Sequence, residues 1–116
     1  MLKKFLFADL DDTLFQSGRK CPEGAPLTPM AYLKDGTAHS FATKAQKSFL
    51  VLMQQEMAVI PVTARNADAF SRVRWPFTNG AVINYGGIIL KADGAVDESW
   101  LAQSRTQAAQ TVPMLE

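Results

Sequence analysis

Phe5-Leu6-Phe7-Ala8-Asp9-Leu10-Asp11-Asp12-Thr13-Leu14-Phe15 is the stretch from which the rest of the chain is read. Residues 3 to 8 form a nearly continuous apolar run, the pattern of a strand buried on both faces at the centre of a parallel sheet. The run ends in three acids within four positions, Asp9, Asp11 and Asp12. Such close carboxylates repel one another and need compensation, which an oxygen-liganded divalent cation such as magnesium supplies. Asp and Thr also close ordinary strand-ending turns. What sets this turn apart is the whole pattern: an apolar strand, two carboxylates one residue apart, and a hydroxyl residue behind them.

Downstream, residues 15 to 42 hold several prolines and no helical period. Within them Ala31 to Phe41 reads as a hairpin around Asp35-Gly36. The only histidine, His39, falls on one of its arms, where a surface position is the ordinary reading. Thr43 to Met57 predicts a helix capped by Thr43, with Ala45, Phe49, Leu50, Leu52, Met53 and Met57 on one broad apolar face. The helix would carry the chain back across the sheet to a second parallel strand, Ala58 to Val62. Pro61 removes a ladder donor there, which predicts an irregular strand or one near an edge. The strand ends in Thr63-Ala64-Arg65, at the carboxyl end where α/β sheets bind ligands.

A short helix follows over Asn66 to Val73, with Asn66 as its cap and Arg72 and Arg74 near its carboxyl terminus. Trp75-Pro76 ends it. Ala81 to Asn84 reads as a third strand. Ile88 to Leu90 and Ala95-Val96 flank Asp93-Gly94 as a hairpin, and Glu98 to Gln110 reads as a helix.

Composition narrows the class. The chain has 116 residues, enough for one small domain with a core. A net charge of +1 gives no support to nucleic acid or an anionic membrane as a partner. Cys21 is the single cysteine, so an internal disulfide is excluded, and a reducing, cytoplasmic setting is expected. The apolar run after Lys3-Lys4 stops at Asp9, too early for a signal peptide.

Asp9-Leu10-Asp11-Asp12-Thr13-Leu14 resembles the first signature of the haloacid dehalogenase (HAD) superfamily, Asp-x-Asp-x-Thr-Leu after a hydrophobic strand. Thr63-Ala64-Arg65 resembles its second signature. Ile83-Asn84-Tyr85-Gly86-Gly87 in part resembles the turn that leads into the cap of its Cof-like and sucrose-phosphate phosphatase branch, with Tyr85 standing where those relatives have Asn. The resemblance implies a Rossmann-like parallel sheet with a flap at about 15–42, a catalytic-core portion over 1–87, and a hairpin and first cap helix over 88–116. It implies a magnesium-dependent phosphohydrolase acting on a small phosphorylated metabolite, a sugar phosphate by analogy with that branch. In that reading Asp9 is the nucleophile and Asp11 the acid/base, and both serve the metal. Thr63, Ala64 and Arg65 receive the substrate, Thr63 holding a phosphate oxygen and Arg65 pairing with substrate or flap.

Only the front of the family pattern is present. No later Lys or Arg and no second acidic pair match its third and fourth signatures. Without later strands, Phe5 to Ala8 becomes an exposed apolar edge, prone to pair with another chain. The chain is therefore expected to be the amino-terminal part of a longer protein, or to need a partner. Two alternatives stand beside the phosphohydrolase: a phosphomutase using the same Asp9 and Asp11, and a non-catalytic interaction module that keeps the motif residues.

Overall fold

The computed structural model describes residues 3–115. Met1, Leu2 and Glu116, which fall within the expected boundaries, lie outside the described residues. The fold is mixed α/β, with a small parallel sheet and antiparallel sheets.

Strand β1 (Phe5–Ala8) leads into the acidic turn and, after a three-stranded excursion, pairs in parallel with a later strand. The excursion consists of β2 (Gln16–Ser17), β3 (Leu27–Tyr32) and β4 (Ala38–Thr43), in the antiparallel order β2-β4-β3. The expected hairpin is present: Gly36 takes a left-handed φ of 89°, and the Thr37 N–H donates to Asp35 Oδ1 at 2.8 Å. The register slips between Pro29 and Ala31 and again before Tyr32, so β3 is bulged near its proline. The segment is thus more regular than its composition suggests.

Helix α1 (Lys44–Glu56) begins with a capping box. Gln46 N–H donates to Thr43 Oγ1 at 3.2 Å, and the Gln46 side chain accepts from Thr43 N–H at 2.9 Å. Leu50 is buried and Met53 partly so. Phe49 and Leu52 are 48% and 51% exposed and Ala45 is exposed as well, so the broad apolar face expected of this helix is only partly covered. The sheet beneath it is narrow, and a narrow sheet covers a strip of a helix rather than a third of its circumference.

Strand β5 (Ala58–Pro61) pairs with β1 in the register Phe5–Ala58 through Ala8–Pro61. Ala58 N–H donates to Lys4 and Val62 N–H to Ala8, so residues 58, 60 and 62 direct their amides to β1. Pro61 turns its backbone nitrogen to the other side, where Thr63 is the residue that donates, at 2.8 Å to the Val82 carbonyl, so its missing N–H leaves the ladder to β1 intact. The third parallel element is joined there by the Val62–Val82 bridge. It is β6 (Ala81–Ile83), which doubles back as β7 (Ile88–Leu90). Gly80 enters β6 at φ 87°, and a Cβ there would stand 2.4 Å from the Leu90 carbonyl oxygen. Short helix α2 (Ala67–Ser71) is capped by Asn66, and α3 (Glu98–Leu115) closes the described chain. No helix among the described residues is long and apolar enough to cross a membrane.

The core gathers Leu10, Leu14, Phe15, Met30, Ala31, Ala42, Leu50 and Val59, with Leu6 and Ala8 packed against it. Burial of β1 on both faces is corrected here. Leu6 and Ala8 face this core, whereas Phe5 and Phe7 are 53% and 63% exposed. On the same sheet face Val62 is 37% exposed, while Ala58 is buried and Ile60 partly so.

Candidate active site

The acidic turn is built by its apolar members. Leu10, Leu14 and Phe15 are buried, and Asp9, Asp11, Asp12 and Thr13 between them are thrown to the surface. The Leu10 carbonyl accepts from the N–H groups of Thr13 and Leu14 at 3.1 and 2.9 Å, and Asp12 N–H donates to the Phe15 carbonyl at 2.7 Å. Closing so tight a loop puts Asp12 in the left-handed region at φ 63°, which Asp tolerates better than most residues.

Each carboxylate has a different environment. Asp9 Oδ1 accepts from the Leu10 N–H at 2.9 Å and has no cationic partner among the described residues. Asp12 pairs with Lys20 at 3.0 Å on the surface. Asp11 is gripped by Arg65: Nε reaches Oδ2 at 2.8 Å and an Nη reaches Oδ1 at 2.9 Å, a bidentate fork. The other Nη donates to the Ala69 carbonyl at 2.9 Å, and the guanidinium lies over the Phe15 ring at 5.6 Å. Arg65 therefore meets Asp11, a partner not first expected for it, and lies against Phe15 at the start of the expected flap.

Thr63 sits at the carboxyl end of the strand beside β1. It is 4% exposed, and its N–H donates to the Val82 carbonyl at 2.8 Å. Its hydroxyl oxygen accepts from the Arg65 N–H at 3.1 Å, which leaves the hydroxyl hydrogen free to donate to a ligand oxygen. Continuing the Ala8–Pro61 register brings Asp9 and Thr63 to the ends of adjacent strands. Ala64 is exposed between Thr63 and Arg65, while His39 is exposed on β4 and belongs to no such group.

Sequence reasoning underrated one element. Asn84, Tyr85 and Gly86 are all left-handed, at φ 54°, 55° and 89°. The Asn84 N–H donates to the Arg65 carbonyl at 2.7 Å and the Tyr85 N–H to that of Thr63 at 3.3 Å. A left-handed Tyr is a strained residue, and strain held in place by surrounding bonds gathers at functional sites. Its ring is 88% exposed. Asn84, followed after Tyr85 by Gly86-Gly87, was the available signal. The concavity of about 790 Å³ between the β3–β4 tip and α2, lined by Tyr32, Lys34, Arg72 and Arg74 among others, includes none of these site residues.

Among the described residues no three His, Cys, Asp or Glu side chains converge as a metal cage. Magnesium asks for less, commonly one or two carboxylates with water and substrate phosphate completing the shell. The exposed Asp9 carboxylate fits that pattern. Asp11 fits it to the extent that its oxygens are released from Arg65.

Neither a comparison with protein-family models nor one with curated proteins finds a match for the chain.

Proposed function

We propose that the chain carries the phosphate-handling end of a HAD-type, magnesium-dependent phosphohydrolase acting on a small phosphorylated metabolite, with a sugar phosphate as the substrate class drawn from the resemblance. The observation that carries this reading is that Asp9, exposed and without a cationic partner among the described residues, and Thr63, buried with a hydroxyl hydrogen free to donate, both stand at the carboxyl ends of adjacent parallel strands.

In this reading an Asp9 carboxylate oxygen attacks phosphorus, the bond to the leaving oxygen breaks, and Asp11 supplies that oxygen with its proton. Water then attacks the same phosphorus and gives a proton to Asp11. Asp9 is regenerated and phosphate leaves. Thr63 O–H holds a non-bridging oxygen throughout. Asp9 and Asp11 would hold magnesium, which when bound screens the repulsion between carboxylate and phosphate. Asp11 must loosen its grip on Arg65 to take part, and an arriving phosphate competes for the same guanidinium.

A second reading, a non-catalytic interaction module, is favoured by the Asp11–Arg65 pairing and by the open edge of β1. One assay separates them: magnesium-dependent phosphate release from an aryl phosphate by the 116-residue chain, with Asp9→Asn as control. Activity that needs both magnesium and Asp9 supports the enzyme. A folded chain with no activity above the Asp9→Asn background refutes it for this chain.

A further inference from the structure

Among the described residues, strand β1 is paired on one side only. Its ladder to β5 uses the peptide groups of residues 4, 6 and 8, as the Lys4 and Ala8 carbonyls receiving Ala58 and Val62 amides show. The alternation of a strand then turns the N–H and C=O of Phe5 and Phe7 outward, to the open edge. The same two residues put their side chains on the face of β1 turned away from the core, 53% and 63% exposed. No charge, proline or bulge interrupts Phe5–Ala8, so the usual protections of an edge strand are absent.

The geometry points to a second copy of this chain on that edge, β1 lying antiparallel to its counterpart about a two-fold axis normal to the sheet. The outward peptide groups restrict the register. Double hydrogen-bonded pairs form only between outward residues, so Phe5 must face an odd-numbered residue of the other copy. Setting Phe5 against Phe7, with Leu6 on the axis, pairs all of residues 4 to 8 with residues 4 to 8. It also places Lys3 opposite Asp9 on the same exposed face. The two neighbouring registers set Lys3 against Phe7, or Asp9 against Phe5, and lose this charge match.

Lys3 already reaches over that face, its Nζ 5.6 Å from the Phe5 ring centre. Asp9 is the one acid of the turn without a cation of its own among the described residues. The arrangement is isologous, so it closes at two copies and gives one continuous sheet with two Phe5–Phe7 cross-strand pairs. This inference rests on the edge geometry and does not require the proposed activity. Its register uses Asp9, which that reading makes the nucleophile, so dimerisation is read by sedimentation and not by turnover.

Sedimentation equilibrium of the full chain tests it. A discrete dimer in the micromolar range, suited to a small interface, is expected. Phe7→Lys is expected to give a monomer with unchanged circular dichroism, because Phe7 is mostly exposed in the single chain. Lys3→Glu is expected to weaken the dimer about tenfold or more, and adding Asp9→Lys to restore it. A chain that stays monomeric at about 1 mM, a thousandfold above that range, overturns the proposal, as does open-ended association. A dimer untouched by Phe7→Lys excludes this edge. Lys3→Glu without rescue by Asp9→Lys refutes the register.

Discussion

Replacing Asp11 and Arg65 singly and together would isolate the free energy of their pairing. Two unit charges about 4 Å apart attract by about 1 kcal/mol in water and about 4 kcal/mol at an effective dielectric near 20. The Arg65 side chain is 17% exposed and that of Asp11 48%, so solvent screens the acid heavily and the lower part of that range applies. Most exposed pairs yield under about 1 kcal/mol, and bidentate geometry raises this one to about 1–1.5 kcal/mol. The assay is urea unfolding of the wild type, Asp11→Ala, Arg65→Ala and the double variant, taken as a thermodynamic cycle. Arg65→Lys keeps the charge but loses the fork, and is expected to retain less than half of the coupling. A coupling under about 0.3 kcal/mol would mean that the pair contributes nothing beyond an ordinary surface contact. One above about 3 kcal/mol would mean that the pair is desolvated, against the exposure of Asp11. Either result refutes the argument.

Three further outcomes follow from other parts of the fold. Leu50→Ala should cost about 2–5 kcal/mol in denaturant unfolding and Leu52→Ala under about 1, because only Leu50 is buried. Gly80→Ala should cost at least about 1–3 kcal/mol, since the added Cβ meets the Leu90 carbonyl at 2.4 Å at a left-handed φ; an unfolding midpoint within error of wild type would contradict the close approach of β6 and β7. Asp35 is fully exposed, and its carboxyl is held below the usual carboxylate range chiefly by the Thr37 backbone N–H. A depressed folded pKa stabilises the hairpin above the unfolded value and loses that contribution as pH falls through the folded one. An NMR titration should therefore find Asp35 titrating below 3.8, and the Thr37 amide signal should move with it.

Local signals were legible in the residues themselves. Thr43 marked the start of α1, Asp35-Gly36 the hairpin, Asn66 the cap of α2, and Asp9 to Thr13 the turn after β1. The misreadings have one cause. Periodicity tells which positions are apolar and not what lies against them, so Phe5, Phe7, Phe49 and Leu52 all read as covered. Arg65 and Asp11 stand 54 residues apart, and no local pattern encodes a partner at that distance. The regularity of β2, β3 and β4 was hidden for the opposite reason: prolines and a bulge interrupt the alternation that betrays a strand.

Gln46 has a consequence for motion. Besides closing the cap of α1, its amide exchanges hydrogen bonds with the Gln16 amide at 2.7 and 3.1 Å and donates to the Thr13 carbonyl at 3.1 Å. Gln16 in turn donates to the Phe41 carbonyl at 2.8 Å. One side chain thus braces a helix end, the β2–β4 ladder and the back of the acidic loop. The loop cannot swing without drawing on both other supports. Its opening and closing would be felt in the amides of β4 and the first turn of α1, and this one glutamine would set the stiffness of the whole assembly.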